Sequence, residues 1–280
     1  MNRPRHPPFL PPLRCKACRA TTWGAFWTAL RSACRQTWLG LRQQRCLHCL
    51  APFTPTPHLP DFMAEALLCP ACLPLLRPYN GPRCPVCGLP PADYPQHREA
   101  AGLCGRCLTD PPPWSGLAFH GLYAGVLRHL LLRLKFDAHL YLTPLLADLL
   151  YRAAQGLPQP DALLAVPQHP AHLRQRGYNQ AHELAKALAR RTGLPLRPQL
   201  LRRVLPGPAQ SGLTATQRRA NVRHSFIAAA EAQGLRLWLL DDVMTTGSTL
   251  RAAACALRAA GACAVDVLVV ARTPQHGPLP

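Results

Sequence analysis

Apolar and polar positions follow three different rhythms along the chain. Residues 1 to 20 carry Pro4, Pro7, Pro8, Pro11, Pro12 and four arginines; with so little to bury they are expected to form a basic, disordered tail. Trp23, Phe26, Trp27, Leu30, Cys34, Trp38 and Leu41 then recur at helical spacing, which predicts a basic amphipathic helix over 21–44. Packing on the rest of the protein is the expected fate of its apolar face, and docking on a membrane or partner is the alternative. Beyond residue 115 the runs alternate. "LAFHGLYAG" (117–125) reads as a strand, Val126, Leu127, Leu130, Leu131 and Leu134 as a helix ending near Lys135, and 140–155 as a second helix. There follow a strand "DALLAV" (161–166), a helix over 179–191 stopped by Gly193, and a strand near 196–201. The last three pieces are the strand "LRLWLL" (235–240), a helix over 249–260 and the strand "AVDVLVVA" (264–271). This alternation predicts an α/β domain over 115–275 with a mainly parallel sheet.

Between these regions the pattern is set by cysteine. Cys46-x-x-Cys49, Cys69-x-x-Cys72, Cys84-x-x-Cys87 and Cys104-x-x-Cys107 share one spacing. A tight turn of this length lets both sulfurs point at one ion about 2.3 Å away, and two such turns complete a tetrahedron, so four turns imply two structural zinc ions. Scattered structural cysteines would not repeat one spacing four times. A segment with so few other apolar residues also needs metal in order to fold. Sequence order pairs 46/49 with 69/72 and 84/87 with 104/107, while spacing alone leaves a crossed pairing open. His48 reads as an exposed passenger inside the first turn, and Cys15, Cys18 and Cys34 lack the second pair a further site would need. A module over 45–110 is expected, with "TDPPPW" (109–114) as its linker to the sheet domain.

Composition narrows the setting. The chain has 280 residues, 48% of them hydrophobic, enough for one substantial core and a smaller appended module. The apolar letters near Trp23 to Leu30 are cut off at Arg31 with no cleavage pattern after them, and no apolar run approaches the ~18 residues of a membrane span. A cytoplasmic protein with reduced, metal-holding thiols is therefore expected. Net charge is +19, and 29 of the 32 basic residues are arginine, whose planar fork grips phosphate with two hydrogen bonds. Acidic partners are favoured, although a compositional bias of the source would produce the same charge.

The most informative stretch is "LWLLDDVMTTGSTL" (237–250). In an open parallel sheet, ligands sit beyond the carboxyl ends of the strands, where "LRLWLL" is followed by Asp241 and Asp242. Thr245, Thr246, Gly247, Ser248 and Thr249 then form a loop opening a helix, and free backbone N–H groups and the helix dipole favour an anion there. Gly247 permits close backbone approach, and the hydroxyls add donors. Two carboxylates one loop away would repel a phosphate but suit neutral hydroxyl groups. A sugar phosphate satisfies both halves. A P-loop would need a lysine, and a dinucleotide fingerprint three spaced glycines; neither is present. The plain alternative for an Asp-Asp pair is a solvated strand end or a metal site.

"LLDDVMTTGST" resembles the 5-phosphoribosyl-1-diphosphate (PRPP) motif of type I phosphoribosyltransferases, and paired zinc-binding turns ahead of it make the chain similar to the ComF family (GntX-like). The resemblance runs from about Leu39 to Arg272. It includes "CPVCGLP" (84–90), "CGRCLTDPPPW" (104–114), "LRLKF" (132–136), "RGYNQA" (176–181), and Arg203 with Gln210, Leu213, Arg219, Asn221 and Phe226. Gly207 departs from it, standing where family members often carry threonine. The resemblance implies a double zinc ribbon followed by a type I phosphoribosyltransferase-like parallel-sheet domain. It implies that Asp241 and Asp242 face the ribose hydroxyls as the catalytic carboxylates, with Val243 and Met244 beside them, while Thr245 to Thr249 wrap the 5-phosphate. Pro167, Gln168 and His169 would hold the diphosphate, Arg174 and Arg176 close behind would bind it with Mg²⁺ as partner, and 203–222 would be a mobile hood. A solvated face is the plain reading of those arginines. Asn179 reads as a helix cap and Lys135 as a helix-end amine within reach of a phosphate, while His169, His172 and His182 show no spacing that suggests a metal or base role.

Three functional readings follow. The first is transfer of a phosphoribosyl group from PRPP to a nitrogenous acceptor that the sequence does not name; such a reaction relies on positioning and electrostatics more than on a nucleophile. The second, implied by the family, is an accessory role in natural competence and DNA uptake, with single-stranded DNA or an uptake helicase or translocase as partner. Aromatics are 6% of residues, so direct strand binding would rest on phosphate contacts. The third is a non-catalytic zinc-scaffold adaptor, against which the intact Asp-Asp and Thr-Thr-Gly-Ser-Thr residues speak.

Overall fold

A computed structural model describes residues 43–55, 63–90, 102–204 and 225–274. The predicted tail, nearly all of the amphipathic helix, Cys15, Cys18 and Cys34, most of the hood, and the side chains of His172 and Arg176 lie outside the described residues. The cysteine segment contributes two short helices, α1 (Met63–Leu67) and α2 (Gly105–Thr109). The domain that follows runs β1 (Gly116–Leu122), α3 (Gly125–Phe136), α4 (Thr143–Ala153), β2 (Ala162–Ala165), α5 (Pro170–Arg176) and α6 (Gln180–Thr192). It continues with β3 (Leu201–Arg203), β4 (Phe226–Ala228), β5 (Arg236–Met244), α7 (Ser248–Ala259) and β6 (Ala264–Arg272).

Four strands form a parallel sheet in the order β1-β6-β5-β2, and β3 and β4 make a separate antiparallel pair. Every residue of β6 is buried, as expected of a strand covered on both faces, and the strand is apolar except for Asp266, which pairs with Arg236 at 3.2 Å, and Arg272 at its end. Period-two alternation then sorts side chains between two cores. Leu268 and Val270 join the core under α3, α4 and α6, and Val265, Val267 and Val269 join the core under α7. Leu146, Leu149 and Leu150 of α4 are fully buried in the first core, where truncation to alanine costs about 2 to 5 kcal/mol. Buried Asp148 ties α4 to α6, pairing with Arg152 at 3.3 Å and Arg191 at 3.1 Å.

From Arg45 onward the described residues belong to one compact unit, and the cysteine turns share the cores of the sheet domain. Cys46, Cys69 and Cys72 pack with the α3/α4/α6 side, and Cys84, Cys87, Cys104 and Cys107 with the α7 side. The segment read as a linker is itself packed. Trp114 is buried and donates its indole N–H to the Val86 carbonyl (2.8 Å), and Asp110 pairs with Arg251 at 3.0 Å.

Elsewhere the expected elements appear with shifted ends. The strand expected near 196–201 is instead a single bridge at Leu196 to Leu163, a 3₁₀ turn over Pro198–Leu200 and the short β3. Pro195 and Pro198 cannot donate to a ladder and break the run. The strand expected to stop at Leu240 continues to Met244, because its parallel neighbour keeps pairing as far as Met244↔Arg272. Helix α5 was not anticipated. Pro170 suits a first helical position, and the His169 ring accepts from the Ala171 N–H at 3.2 Å to cap it. Asn179 caps α6 as expected, accepting from the N–H groups of Ala181 and His182, and Gly193 ends that helix.

Candidate functional site

Each cysteine group gathers two consecutive turns. The sulfurs of Cys46, Cys49, Cys69 and Cys72 lie within 4.8 Å of one another, as do those of Cys84, Cys87, Cys104 and Cys107. This is the pairing in sequence order. Cys49 and Cys69 Sγ are 3.6 Å apart and Cys87 and Cys104 Sγ 3.5 Å; ligands 2.3 Å from one tetrahedral ion would stand about 3.8 Å apart, so both groups could hold zinc with little adjustment. One thiol in each group ionises readily. Cys87 is lowered to about 5, chiefly by the Cys107 thiol, whose own ionisation is pushed up by the same bond. Burial raises Cys46, yet the backbone groups of Cys69, Cys49 and His48 outweigh it and bring the thiol to about 6. His48 is not one of the four ligands of its group; its Nδ1 sits 3.0 Å from that of His129 on α3.

The second centre is a cavity of about 330 Å³ at the carboxyl ends of β2 and β5. Asp241, Asp242, Val243, Thr245 and Thr249 line one wall, Pro167 and Gln168 another, and Tyr123, Leu131, Lys135, Asn179, Gln180 and Arg203 complete it. Asp242, only 6% exposed, accepts from the Gln180 side-chain amide (3.2 Å) and from the Val243 N–H (2.8 Å). Since Gln180 must donate to that carboxylate, its amide oxygen is left to accept from Gln168 Nε2 at 2.7 Å. That chain leaves the Gln168 oxygen a buried acceptor with no partner among the described residues. Burial, and then the charge of Asp242, raises the Asp241 carboxyl well above its usual range, and Lys135 works against both. Burial also lowers the Arg203 guanidinium, opposed by Asp241. The cavity thus holds two close carboxylates flanked by two cations, a donor set suited to neutral hydroxyls, a hard cation and a phosphorylated ligand together.

Not every expected residue joins it. Met244 is fully buried and, with Thr246 and Gly247, lines a small pocket on the cysteine side of the loop. The cause is the extension of β5, which carries Met244 into the core beneath α7. His169 caps α5, and Arg174 on that helix is exposed; neither lines the cavity, nor does Ser248, which opens α7. Gln180 and Arg203 were legible only as parts of "RGYNQA" and of the family match, and nothing in local spacing points to Tyr123 or Leu131. Asn179 does more than cap, since its side-chain amide also donates to the Val166 carbonyl (3.0 Å) and fixes the loop after β2.

Fold and site together define a parallel α/β protein with two tetracysteine groups and an acidic, cation-flanked cavity at the carboxyl edge of its sheet. No protein-family model matches the chain. Competence protein F of Haemophilus influenzae is 34% identical over 239 residues, 81% of this chain and 96% of that protein. DNA utilization protein YhgH of Salmonella typhi is 37% identical over 196 residues, 68% of this chain and 84% of that one, and competence protein ComFC of Bacillus subtilis 27% over 210 residues, 74% and 84%. The chain belongs to the ComF family, that of competence protein F. Among solved structures, glutamine PRPP amidotransferase from B. subtilis is 23% identical with a TM-score of 0.32, over 46% of this chain and 25% of that one, a likeness too weak to build on.

Proposed function

We propose that the protein binds PRPP or a related ribose 5-phosphate together with Mg²⁺, is held together by two zinc ions, and serves in DNA uptake. The observation that carries the ligand is that Asp241 and Asp242 share one cavity with Thr245 and Thr249 of the loop and with Lys135 and Arg203. Ribose hydroxyls donate to the carboxylates, the loop and the start of α7 take the 5-phosphate, and Lys135 and Arg203 balance the remaining negative charge. Mg²⁺ would be held by Asp241 or Asp242 and the ligand oxygens, supplying charge neutralisation. Among the described residues no helix is long and apolar enough to cross a membrane. The uptake role is supported by relatives named for competence and DNA utilization. Single-stranded DNA or an uptake translocase is the partner this role calls for, with arginine as the contacting side chain.

Calorimetry on zinc-loaded protein, with and without Mg²⁺, tests the ligand: PRPP binds the intact chain, and Asp241→Ala with Asp242→Ala abolishes binding. Absence of binding by the intact protein ends the reading. Binding of single-stranded DNA that is undetectable even at low salt leaves only a protein partner.

A further inference from the structure

The loop after β5 has two sides, and the one facing away from the aspartates is built against the second cysteine group. Arg272, the last residue of β6, is 1% exposed. Its Nε donates to the Cys87 carbonyl (2.9 Å), and its Nη1 donates to the carbonyls of Met244 (3.0 Å) and Thr245 (2.5 Å). Arg106, lying between Cys104 and Cys107, donates to the Thr246 carbonyl at 2.9 Å. Each turn of the cysteine group therefore has a hold on the loop, one through a buried guanidinium and one directly. The consequence follows from peptide geometry. In a trans peptide the C=O and the next N–H point in opposite directions. Holding the carbonyls of Met244, Thr245 and Thr246 toward the cysteines turns the N–H groups of Thr245, Thr246 and Gly247 the other way, as anion binding by this loop requires.

We infer that metal loading of the second cysteine group sets the order of loop 245–249 and, through it, the affinity for the phosphorylated ligand, with Arg272 and Arg106 as the positioning residues. The ligand half rests on the sugar-phosphate reading above; the coupling itself does not. Ordering by the metal and ordering by the ligand act on the same few peptides, so each strengthens the other. Arginine is needed at 272 because Cys87 and the two loop carbonyls are reached by different nitrogens of one planar fork, which a lysine ammonium does not reproduce.

Amide hydrogen exchange of residues 244–249 in the full, zinc-loaded chain tests this, with ribose 5-phosphate titrated in parallel by calorimetry. Arg272→Lys, with both metals retained, is expected to speed exchange across the loop about ten-fold, equivalent to about 1.4 kcal/mol, and Arg106→Ala about five-fold. Emptying the second group by Cys104→Ser with Cys107→Ser speeds exchange at least as much, whereas emptying the first by Cys46→Ser with Cys49→Ser speeds it less than either Arg272→Lys or the second-group variant. Ribose 5-phosphate slows zinc release to a chelator from the second group in the wild type and not in Arg272→Lys. Unchanged exchange in both Arg272→Lys and Arg106→Ala overturns the inference, whether or not the cysteine variants fold. Faster exchange in a protein whose intact form binds neither PRPP nor ribose 5-phosphate supports the coupling and overturns the sugar-phosphate reading.

Discussion

Gly247 gives the sharpest quantitative test of how the loop is built. Its φ of +76° lies in the left-handed region, and a Cβ placed there would stand 2.6 Å from Met244 Cε and 3.5 Å from Trp114 Cη2. For Gly247→Ala the left-handed backbone costs about 1 to 2 kcal/mol. Shifting the Met244 methyl, the free end of a flexible side chain bordering a small pocket, adds about 1 kcal/mol, and the reduced freedom of the unfolded chain returns about 0.5 to 1 kcal/mol. The net loss is about 2 kcal/mol, which lowers the melting temperature of zinc-loaded protein by about 4 to 8 °C. Gly193→Ala isolates the backbone part, because its φ is +73° and a Cβ there meets nothing within 4 Å. It should lose only about 1 kcal/mol, or about 2 to 4 °C. Differential scanning calorimetry of both variants beside the wild type measures the difference. Equal losses at the two positions would refute the claim that the loop is braced against Met244 and Trp114.

Gln180→Ala removes the donor to buried Asp242 and the acceptor for Gln168, so ribose 5-phosphate affinity measured by calorimetry falls about five- to ten-fold and the melting temperature drops by a few degrees. For Asp241, whose carboxyl is raised in the folded state, the folded chain holds its proton to higher pH than the unfolded chain. The half-buried charge therefore weakens the fold progressively as pH climbs from the ordinary value of 3.8 through the raised one. Asp241→Asn accordingly melts higher than wild type at pH 7.5 while binding ligand worse, and its thermal advantage fades as the pH falls through the raised value and is gone by about pH 4. An advantage that grows in acid contradicts this. Stripping metal with a chelator should free the eight thiols of the two groups for titration and lower the helical signal of the sheet domain, because all of those cysteines but Cys49 sit in its two cores. A sheet domain unaffected by metal removal would contradict the shared packing.

Much of the fold was legible because its signals are local. The largely apolar run of β6, the helix marked by Val126, Leu127, Leu130, Leu131 and Leu134, and the caps at Asn179 and Gly193 each depend on neighbours a few residues away. Four equal cysteine spacings likewise announce two tetrahedral sites. The misread pieces depend on a distant partner. Nothing in "LRLWLLDD" says that β6 will keep pairing past Leu240 and draw Met244 into the core, and Trp114 looks like part of a proline-rich linker until Val86 is found beside it.

The order of residues alone determined that two carboxylates, a hydroxyl-rich loop and a helix start would stand at the end of a buried strand, because strand, loop and cap preferences operate over a few bonds. Only the folded chain decided which side of that loop faces a ligand. Lys135, Gln180 and Arg203 come to the aspartate side from three separate segments, and Arg106 and Arg272 hold the opposite side to the cysteines. Contacts of that kind join residues as far apart as Cys87 and Arg272, and they arise from the packing of the whole sheet rather than from any stretch of sequence.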